Sequence, residues 1–249
     1  MKKIQYKACP VCFNWDGPKI KILEEIEGIW RLYCEVCGCI FFNDTPKNLP
    51  MYDLQYNLHF FRPGDIKKAG IMAETISNTI SLTHKDPYIL EAGTGNGLTT
   101  FLLQVMGYHI VALDLDSALS AYLTKKLGIC VYVDDFLKFT HHRPFDCIYS
   151  SHVIEHCADP HEFIKKAYDL LAPRGILFLE TPNTEYFTQH GKRWHHFETR
   201  HPFEHLTLLS TRSIGFLLKS TPFVLKSVEN LSDFQALRVI FEKPPNLCI

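Results

Sequence analysis

The sequence has no apolar run approaching the roughly 20 residues that a membrane-spanning helix requires, so no membrane partner is expected. Its first residues, Met-Lys-Lys-Ile-Gln-Tyr-Lys, contain no apolar signal core ahead of Cys9, so a cytoplasmic location is expected rather than export. Neither sign of charge prevails: 26 lysines and arginines face 27 acids, a formal charge of −1. A nucleic-acid binder normally needs a basic face from which counterions are released, and that balance argues against one. Internal repeats and low-complexity tracts are also lacking. What is present is a chain of 249 residues, 46% hydrophobic and 21% charged, in proportion for one α/β domain with a small appendage.

Nine cysteines is an odd number, and with no export signal they are expected as reduced thiols. Four fall in pairs, Cys9-Pro-Val-Cys12 and Cys34-Glu-Val-Cys37, with 21 residues between the pairs. Two such knuckles can wrap four thiolates tetrahedrally around one Zn²⁺. Pro10 and Gly38 supply the turn chemistry, and Ile20, Ile22, Ile26, Ile29, Trp30 and Leu32 supply short β-like runs between them. Residues 1–47 therefore read as a zinc ribbon, too short to fold without such a staple. Cys39 is an alternative ligand; Cys130, Cys147 and Cys157 read as small core residues.

Residues 48–249 form the larger domain. After the Asn/Asp/Pro-rich linker at 43–50 comes an aromatic stretch with Tyr52 and Tyr56, then apolar residues at helical spacing over 65–82. Beyond Pro87 the pattern alternates, with strands predicted at 88–92, 109–114, 129–133, 145–150 and 175–181 and helices near 97–106, 117–127 and 160–172. Pro173-Arg-Gly175 is expected to end the last helix. Alternation of this kind argues for a parallel sheet covered on both faces. A helix over 211–219 precedes two strands, 222–230 and 235–242, whose link is so short that they must pair antiparallel.

The most informative stretch is Tyr-Ile-Leu-Glu-Ala-Gly-Thr-Gly-Asn-Gly, residues 88–97. A buried strand delivers Glu91 to its carboxyl end, and Gly93, Gly95 and Gly97 let the backbone turn closely against an adenosine-containing ligand. Leu98 stands where a dinucleotide motif would have its third glycine. A carboxylate before the glycines would repel a pyrophosphate but suits a cationic amine or sulfonium. A helix-start cap is the alternative role for Glu91.

Taken with Val111-Ala-Leu-Asp114, Asp135-Phe136, Phe145-Asp146, His152-Val-Ile-Glu-His156, Leu171-Ala-Pro-Arg-Gly175, Thr181-Pro-Asn183 and His205-Leu206, this stretch resembles the class I S-adenosylmethionine-dependent methyltransferases, of the bacterial type with an N-terminal zinc ribbon. The resemblance covers nearly the whole chain and implies a seven-stranded Rossmann-like sheet of five parallel strands and a terminal antiparallel hairpin. Ala92, Thr94 and Arg174 depart from its usual residues but keep the motifs in place. It implies that Glu91, Gly93, Gly95, Asp114, Leu115, Asp135, Phe136 and Ser151 bind S-adenosylmethionine. Asp114, 23 residues after Glu91, would take the ribose hydroxyls unless it caps the next helix, a task open to Ser117. Asp135 would read the adenine amine, with Asp134 as competitor, and Ser151 would lie near the methionine end, a plain turn serine being the alternative.

For the acceptor side, His152, Glu155 and His156 are the candidate catalytic residues, the two histidines being four apart as on one face of a helical turn. Packing in the wall is the other role open to His156. The segment 183–205 adds His190, His195, His196, His201 and His205 where the family places a lid. The expected activity is methyl transfer from S-adenosylmethionine to a small molecule, such as a nucleotide-linked sugar or secondary metabolite, with zinc structural. The alternatives are an RNA or protein methyltransferase that docks through the ribbon, or a non-catalytic S-adenosylmethionine-binding module.

Overall fold

A computed structural model describes residues 7–44, 63–81, 85–186 and 203–245. Tyr52 and Tyr56, and His190, His195, His196 and His201, lie outside the described residues. The chain divides into two compact units. One comprises Met51–Ser151, Lys166–Leu179 and Ile240–Ile249; the other comprises Met1–Pro50, His152–Lys165 and Glu180–Val239.

The first unit holds the expected parallel strands, β4 (Tyr88–Ala92), β5 (His109–Asp114), β6 (Val131–Val133) and β7 (Phe145–Ser151). Three strands precede them in the chain, and β4 is an inner strand of the sheet. It lies between β5 and β7, with Ala92 opposite Leu113 on one side and Ser150 on the other; β5 sets Asp114 against Val133 of β6. All four strands thus end at one level. Helix α1 (Pro63–Ser81) sends Met72, Ala73, Ile76 and Ile80 into a core with Ile89, Leu103, Cys147, Tyr149, Ile176 and Phe178, where Leu103 belongs to α2 (Leu98–Val105). Helix α3 (Ser117–Leu127) buries Leu119 and Leu123 against Ala112, Ile129 and Val131. Its cap is Asp116, which accepts from the amides of Ala118 and Leu119 at 2.9 and 3.1 Å, so neither Asp114 nor Ser117 serves that task. Among the other cysteines Cys147 is buried as expected, Cys157 is half-buried and Cys130 is exposed, outside any core.

In the second unit, β1 (Ile20–Ile26), β2 (Ile29–Cys34) and β3 (Ile40–Phe42) form an antiparallel ribbon. A fourth strand, β9 (Thr207–Leu208), pairs with β3 through Ile40–Leu208 and Phe41–Thr207, a partner some 165 residues away in sequence. The unit also carries α5 (Thr211–Leu217), closed by a reciprocal cap between Ser210 and Ser213, and β10 (Val224–Leu231).

Two strands run from one unit into the other along the chain, β8 (Leu171–Pro182) and β11 (Ala236–Glu242). The seven-stranded order is β10-β11-β8-β7-β4-β5-β6. Arg174 N donates to Lys243 O and Asn183 N to Gln235 O, so β8 and β11 run in opposite directions. Helix α4 (Pro160–Leu170) stops three residues before Pro173, and Pro173-Arg174-Gly175 lies inside β8 rather than ending the helix. Arg174 takes a left-handed φ of 65° there, held by its amide's bond to Lys243.

Two glycines of the 93–97 turn have separate reasons to be glycine. At Gly97, with φ of 70°, a methyl group would lie 2.7 Å from Ile129 Cδ1 and 3.0 Å from Leu123 Cδ1. At Gly95, with φ of 50°, it would meet nothing within 4 Å. Gly97→Ala therefore combines left-handed strain with overpacking and should cost about 3 kcal/mol. Gly95→Ala carries only the backbone strain, about 1 kcal/mol. Urea unfolding of both variants checks this ordering.

Candidate functional site

The common ending of β4, β5, β6 and β7 gathers Glu91, the glycine turn, Asp114, Asp135 and Ser151 on one edge of the first unit. The turn is tied down by the amides of Gly93 and Thr94, which both donate to Leu113 O at 3.0 and 2.9 Å. Glu91 is 3% exposed. Its Oε2 accepts from the hydroxyl of Thr94 at 3.0 Å and closely from that of Thr100, in the first turn of α2. Burial pushes its carboxyl up to about 8; the Thr94 hydroxyl opposes the rise and the nearby Asp114 charge adds to it.

Asp114 accepts from Gly95 N through Oδ2 and from Asp116 N through Oδ1, both at 3.0 Å. Burial raises its carboxyl above the ordinary range, and those two amides hold it partly down. A carboxylate has about four acceptor sites, so each oxygen keeps capacity for a hydroxyl donor. Among the described residues neither Glu91 nor Asp114 is paired with a cationic side chain. Leu115, next to Asp114, is 73% exposed, whereas Phe136 is buried. Asp135 is half-buried, with Oδ1 accepting from Leu137 N at 3.0 Å; Asp134 is exposed and accepts from Asp135 N at 2.8 Å. Ser151 is half-buried, while its neighbour Ser150 is fully buried and donates to Ala92 O at 3.1 Å.

The histidines are arranged differently from the helical face expected. His152 precedes the short 3₁₀ turn Ile154–His156 and has a left-handed φ of 58°. Its amide donates to Glu180 O at 2.9 Å and its Nδ1 lies 3.1 Å from Glu155 Oε1. Glu155 is fully buried, and its Oε2 accepts from Thr181 Oγ1 at 3.1 Å. Burial alone would raise this carboxyl, but the His152 hydrogen bond and the charges of His152, His156 and His205 carry it down to about 2. His156 instead turns Nδ1 to the carbonyl of Glu204 at 2.8 Å, and its ring meets that of His205 at 5.1 Å. Sequence reasoning placed His205 in a histidine-rich segment, but periodicity gave no hint of its partner. Thr100 lies outside every motif that the sequence offered, and Thr94 and Thr181 stand within such motifs with no role assigned to them.

Cys9, Cys12, Cys34 and Cys37 converge, their sulfurs all within 4.8 Å of one another. Cys9–Cys37 and Cys12–Cys34 are each 3.5 Å apart, close to the ~3.8 Å edge of a tetrahedron with Zn–S of ~2.3 Å. Cys39 is buried outside this group, with its sulfur directed to Ile40 O. Both knuckles close alike: Phe13 N donates to Cys9 O and Gly38 N to Cys34 O, and Phe13 and Gly38 both have positive φ. Burial pushes the Cys12 thiol up to about 12, so a thiolate there calls for a compensating cation.

The order of this sheet is that of the class I S-adenosylmethionine-dependent methyltransferase fold. A family model for the methyltransferase domain matches residues 61–228, well over half the chain, and the chain belongs to that family. Among curated proteins it is similar to the ubiquinone biosynthesis O-methyltransferase of Maricaulis maris (strain MCS10), 28% identical over 137 residues that span 51% of this chain and 53% of that protein. It is likewise similar to the protein of the same name from Glaesserella parasuis serovar 5 (strain SH0165), 32% identical over 106 residues, 38% of this chain and 45% of that one. The chain thus spans about half the length of the curated relatives it matches. Two solved structures share the fold. The N-methyltransferase NodS from Bradyrhizobium japonicum WM9 with S-adenosyl-L-homocysteine gives a TM-score of 0.53 at 17% identity, over 74% of this chain and 89% of that one. Magnesium protoporphyrin IX methyltransferase from Synechocystis PCC 6803 gives 0.57 at 13% identity, over 78% and 89%.

The ligand-free protein should lose stability through Glu91 as pH rises. An unfolded glutamate ionises near ~4.3, whereas the folded chain holds this proton up to about 8. Across that window the folded state binds more protons, so rising pH favours unfolding. Glu91→Gln removes the loss, and its melting temperature should exceed the parent's by several degrees at pH 8 and by little at pH 5, measured by scanning calorimetry.

Proposed function

We propose that this protein transfers a methyl group from S-adenosylmethionine to a small-molecule acceptor. The observation that carries the reading is a pair of acids, buried Glu91 and half-buried Asp114, on one strand-end edge, neither in an ion pair with a cationic side chain among the described residues. An adenosyl donor offers what they lack: an ammonium group for Glu91 and ribose hydroxyls for Asp114. Gly93 and Gly95 admit the ligand to the turn, the open space at Gly95 being where a side chain would intrude. Leu115 and Phe136 supply apolar contact for the adenine, Asp135 accepts from its exocyclic amine, and Ser151 serves the methionyl end.

When bound, the sulfonium supplies a methyl carbon already activated for displacement, and the protein's part is placement and proton removal. The acceptor's lone pair forms the new bond as the carbon–sulfur bond breaks and sulfur keeps its electrons. His152, Glu155 and His156 serve the acceptor. His152 follows Ser151 directly in the chain, and Glu155 holds its Nδ1, leaving Nε2 to take a proton. The named curated relatives act in ubiquinone biosynthesis as O-methyltransferases, which supports a small acceptor and an oxygen nucleophile. Residues 1–47 form a structural zinc ribbon, with Cys9, Cys12, Cys34 and Cys37 closing all four positions around the metal, and residues 48–249 form the methyltransferase domain.

A second reading has one observation in its favour. The ribbon exposes Phe13 at 62% and Trp15 at 79%, aromatics on which an RNA or protein acceptor could dock.

Calorimetry should show S-adenosylhomocysteine binding the parent protein, and Asp114→Asn weakening it by about tenfold to hundredfold. Incubation with methyl-deuterated donor and cell extract should place the label in the low-molecular-weight fraction. Label confined to RNA or protein would instead favour the second reading, and absence of ligand binding would refute both. Metal analysis should find about one zinc per chain, lost in Cys34→Ser.

A further inference from the structure

A four-thiolate cluster has every position closed, so it offers no chemistry of its own. Its two knuckles instead hold the segments that carry His156 and His205. His156 turns Nδ1 to the carbonyl of Glu204 at 2.8 Å. A carbonyl can only accept, so Nδ1 carries the proton and the neutral ring keeps its lone pair on Nε2. The tautomer and orientation of His156 thus depend on where one backbone carbonyl lies. Glu204 is in a turn, three residues before β9, and β9 is only two residues long.

So short a strand cannot place itself. Its position comes from the ribbon, where Ile40 and Phe41 of β3 pair with Leu208 and Thr207, and Leu208 is buried with Ile40. Just beyond β9, Ser210 and Ser213 donate to Cys37 O at 2.6 and 3.0 Å. Thr184 makes both connections at once, its amide bonding to Leu209 O at 2.9 Å and its hydroxyl to Gly38 O at 2.7 Å. The first knuckle grips the other histidine segment. His161, five residues after His156, donates through Nε2 to Val11 O at 2.8 Å and stacks on Phe13. All of these residues belong to one unit, whereas Glu91 and Asp114 belong to the other.

We propose that Thr184, Ser210 and Ser213 are positioning residues for methyl transfer. By tying β9 to the second knuckle they set the Glu204 carbonyl, and through it the tautomer and orientation of His156. The ribbon is then a brace for the acceptor side rather than a docking module. The proposal rests on the acceptor-side reading of His156 given above. A misplacement of about 1 Å at a reacting centre can cost on the order of a hundredfold in rate, so slack in β9 reads out in turnover. Donor binding draws on the other unit and stays as it is.

The test uses the full zinc-loaded chain, the variant Thr184→Val and the double variant Ser210→Ala/Ser213→Ala. Transfer of a deuterated methyl group to the low-molecular-weight fraction of cell extract supplies the rate, and long-range ¹H–¹⁵N spectra report the ring of His156. Both variants should transfer about tenfold to hundredfold more slowly. They should keep their zinc, bind S-adenosylhomocysteine as the parent does, and show His156 as a mixture of tautomers where the parent shows Nδ1–H. Thr184→Ser keeps the hydroxyl and should match the parent in rate and spectrum. Transfer at the parent's rate in both variants, or a His156 ring unmoved in both, overturns the proposal. Should the variants lose zinc or fail to fold, the parent decides. Removing its zinc with a chelator must then move the His156 signals while S-adenosylhomocysteine still binds; unmoved signals, or binding lost with the metal, overturn the proposal. A zinc-loaded parent that binds no S-adenosylhomocysteine fails on the methyltransferase reading instead, and its histidine spectra still report on the brace.

Discussion

Parallel hydrogen bonding of β4 to β5 and β7 is the constraint on which the donor-binding edge depends. With Ala92 in register with Leu113 and Ser150, three strands end together, and residues far apart in sequence become neighbours on one edge. Slipping one strand by a residue would exchange its buried and exposed faces. The core resists that, since Ile89 and Cys147 must stay with Met72 and Ile76 of α1, while Ala112 must stay with Leu119 and Leu123 of α3. Packing on both faces thus holds the register, and the register places Glu91 and Asp114.

The two buried glutamates show how surroundings divide one side-chain chemistry into two roles. Glu91 and Glu155 are both removed from water, and in each case burial opposes ionisation. Glu91, buried with two hydroxyls and near the Asp114 charge, keeps its proton to about pH 8. Glu155 is ringed by three histidines and stays ionised down to about pH 2. The first is a carboxyl that a cationic ligand would ionise on arrival. The second is already an anion, suited to holding an imidazole in position.

The ribbon is woven into the chain's C-terminal half. Its sheet is completed by β9, and the hydroxyls of Ser210 and Ser213 donate to Cys37 O at 2.6 and 3.0 Å. Thr184 donates to Gly38 O at 2.7 Å, and His161 Nε2 lies 2.8 Å from Val11 O with its ring stacked on Phe13. The carbonyls of Val11, Cys37 and Gly38 are therefore met by residues from distant segments of the same unit. Such bonds fix the loops that present the cysteines, and they also fix β9 two residues beyond His205.

Much of this was legible in the sequence because it is local. The strands at 88–92 and 109–114 and the helix at 117–127 follow from periodicity and bounding residues, and the cysteine pairing follows from knuckle spacing. The boundary at Pro173-Arg174-Gly175 was misread because proline and glycine signal a break, while pairing with Lys243 extended the strand through them. The cap of α3 passed to Asp116, whose two hydrogen bonds leave Asp114 facing the turn. By itself the sequence determined the elements, the thiolate knuckles and the acids before and after the glycine turn, since each depends on neighbours a few residues away. Only the tertiary structure decided that Thr100 closes on Glu91, that His205 meets His156 and that Thr207 completes the ribbon. Those pairings join segments whose separation along the chain carries no periodic signal, and they exist only once the sheets have closed.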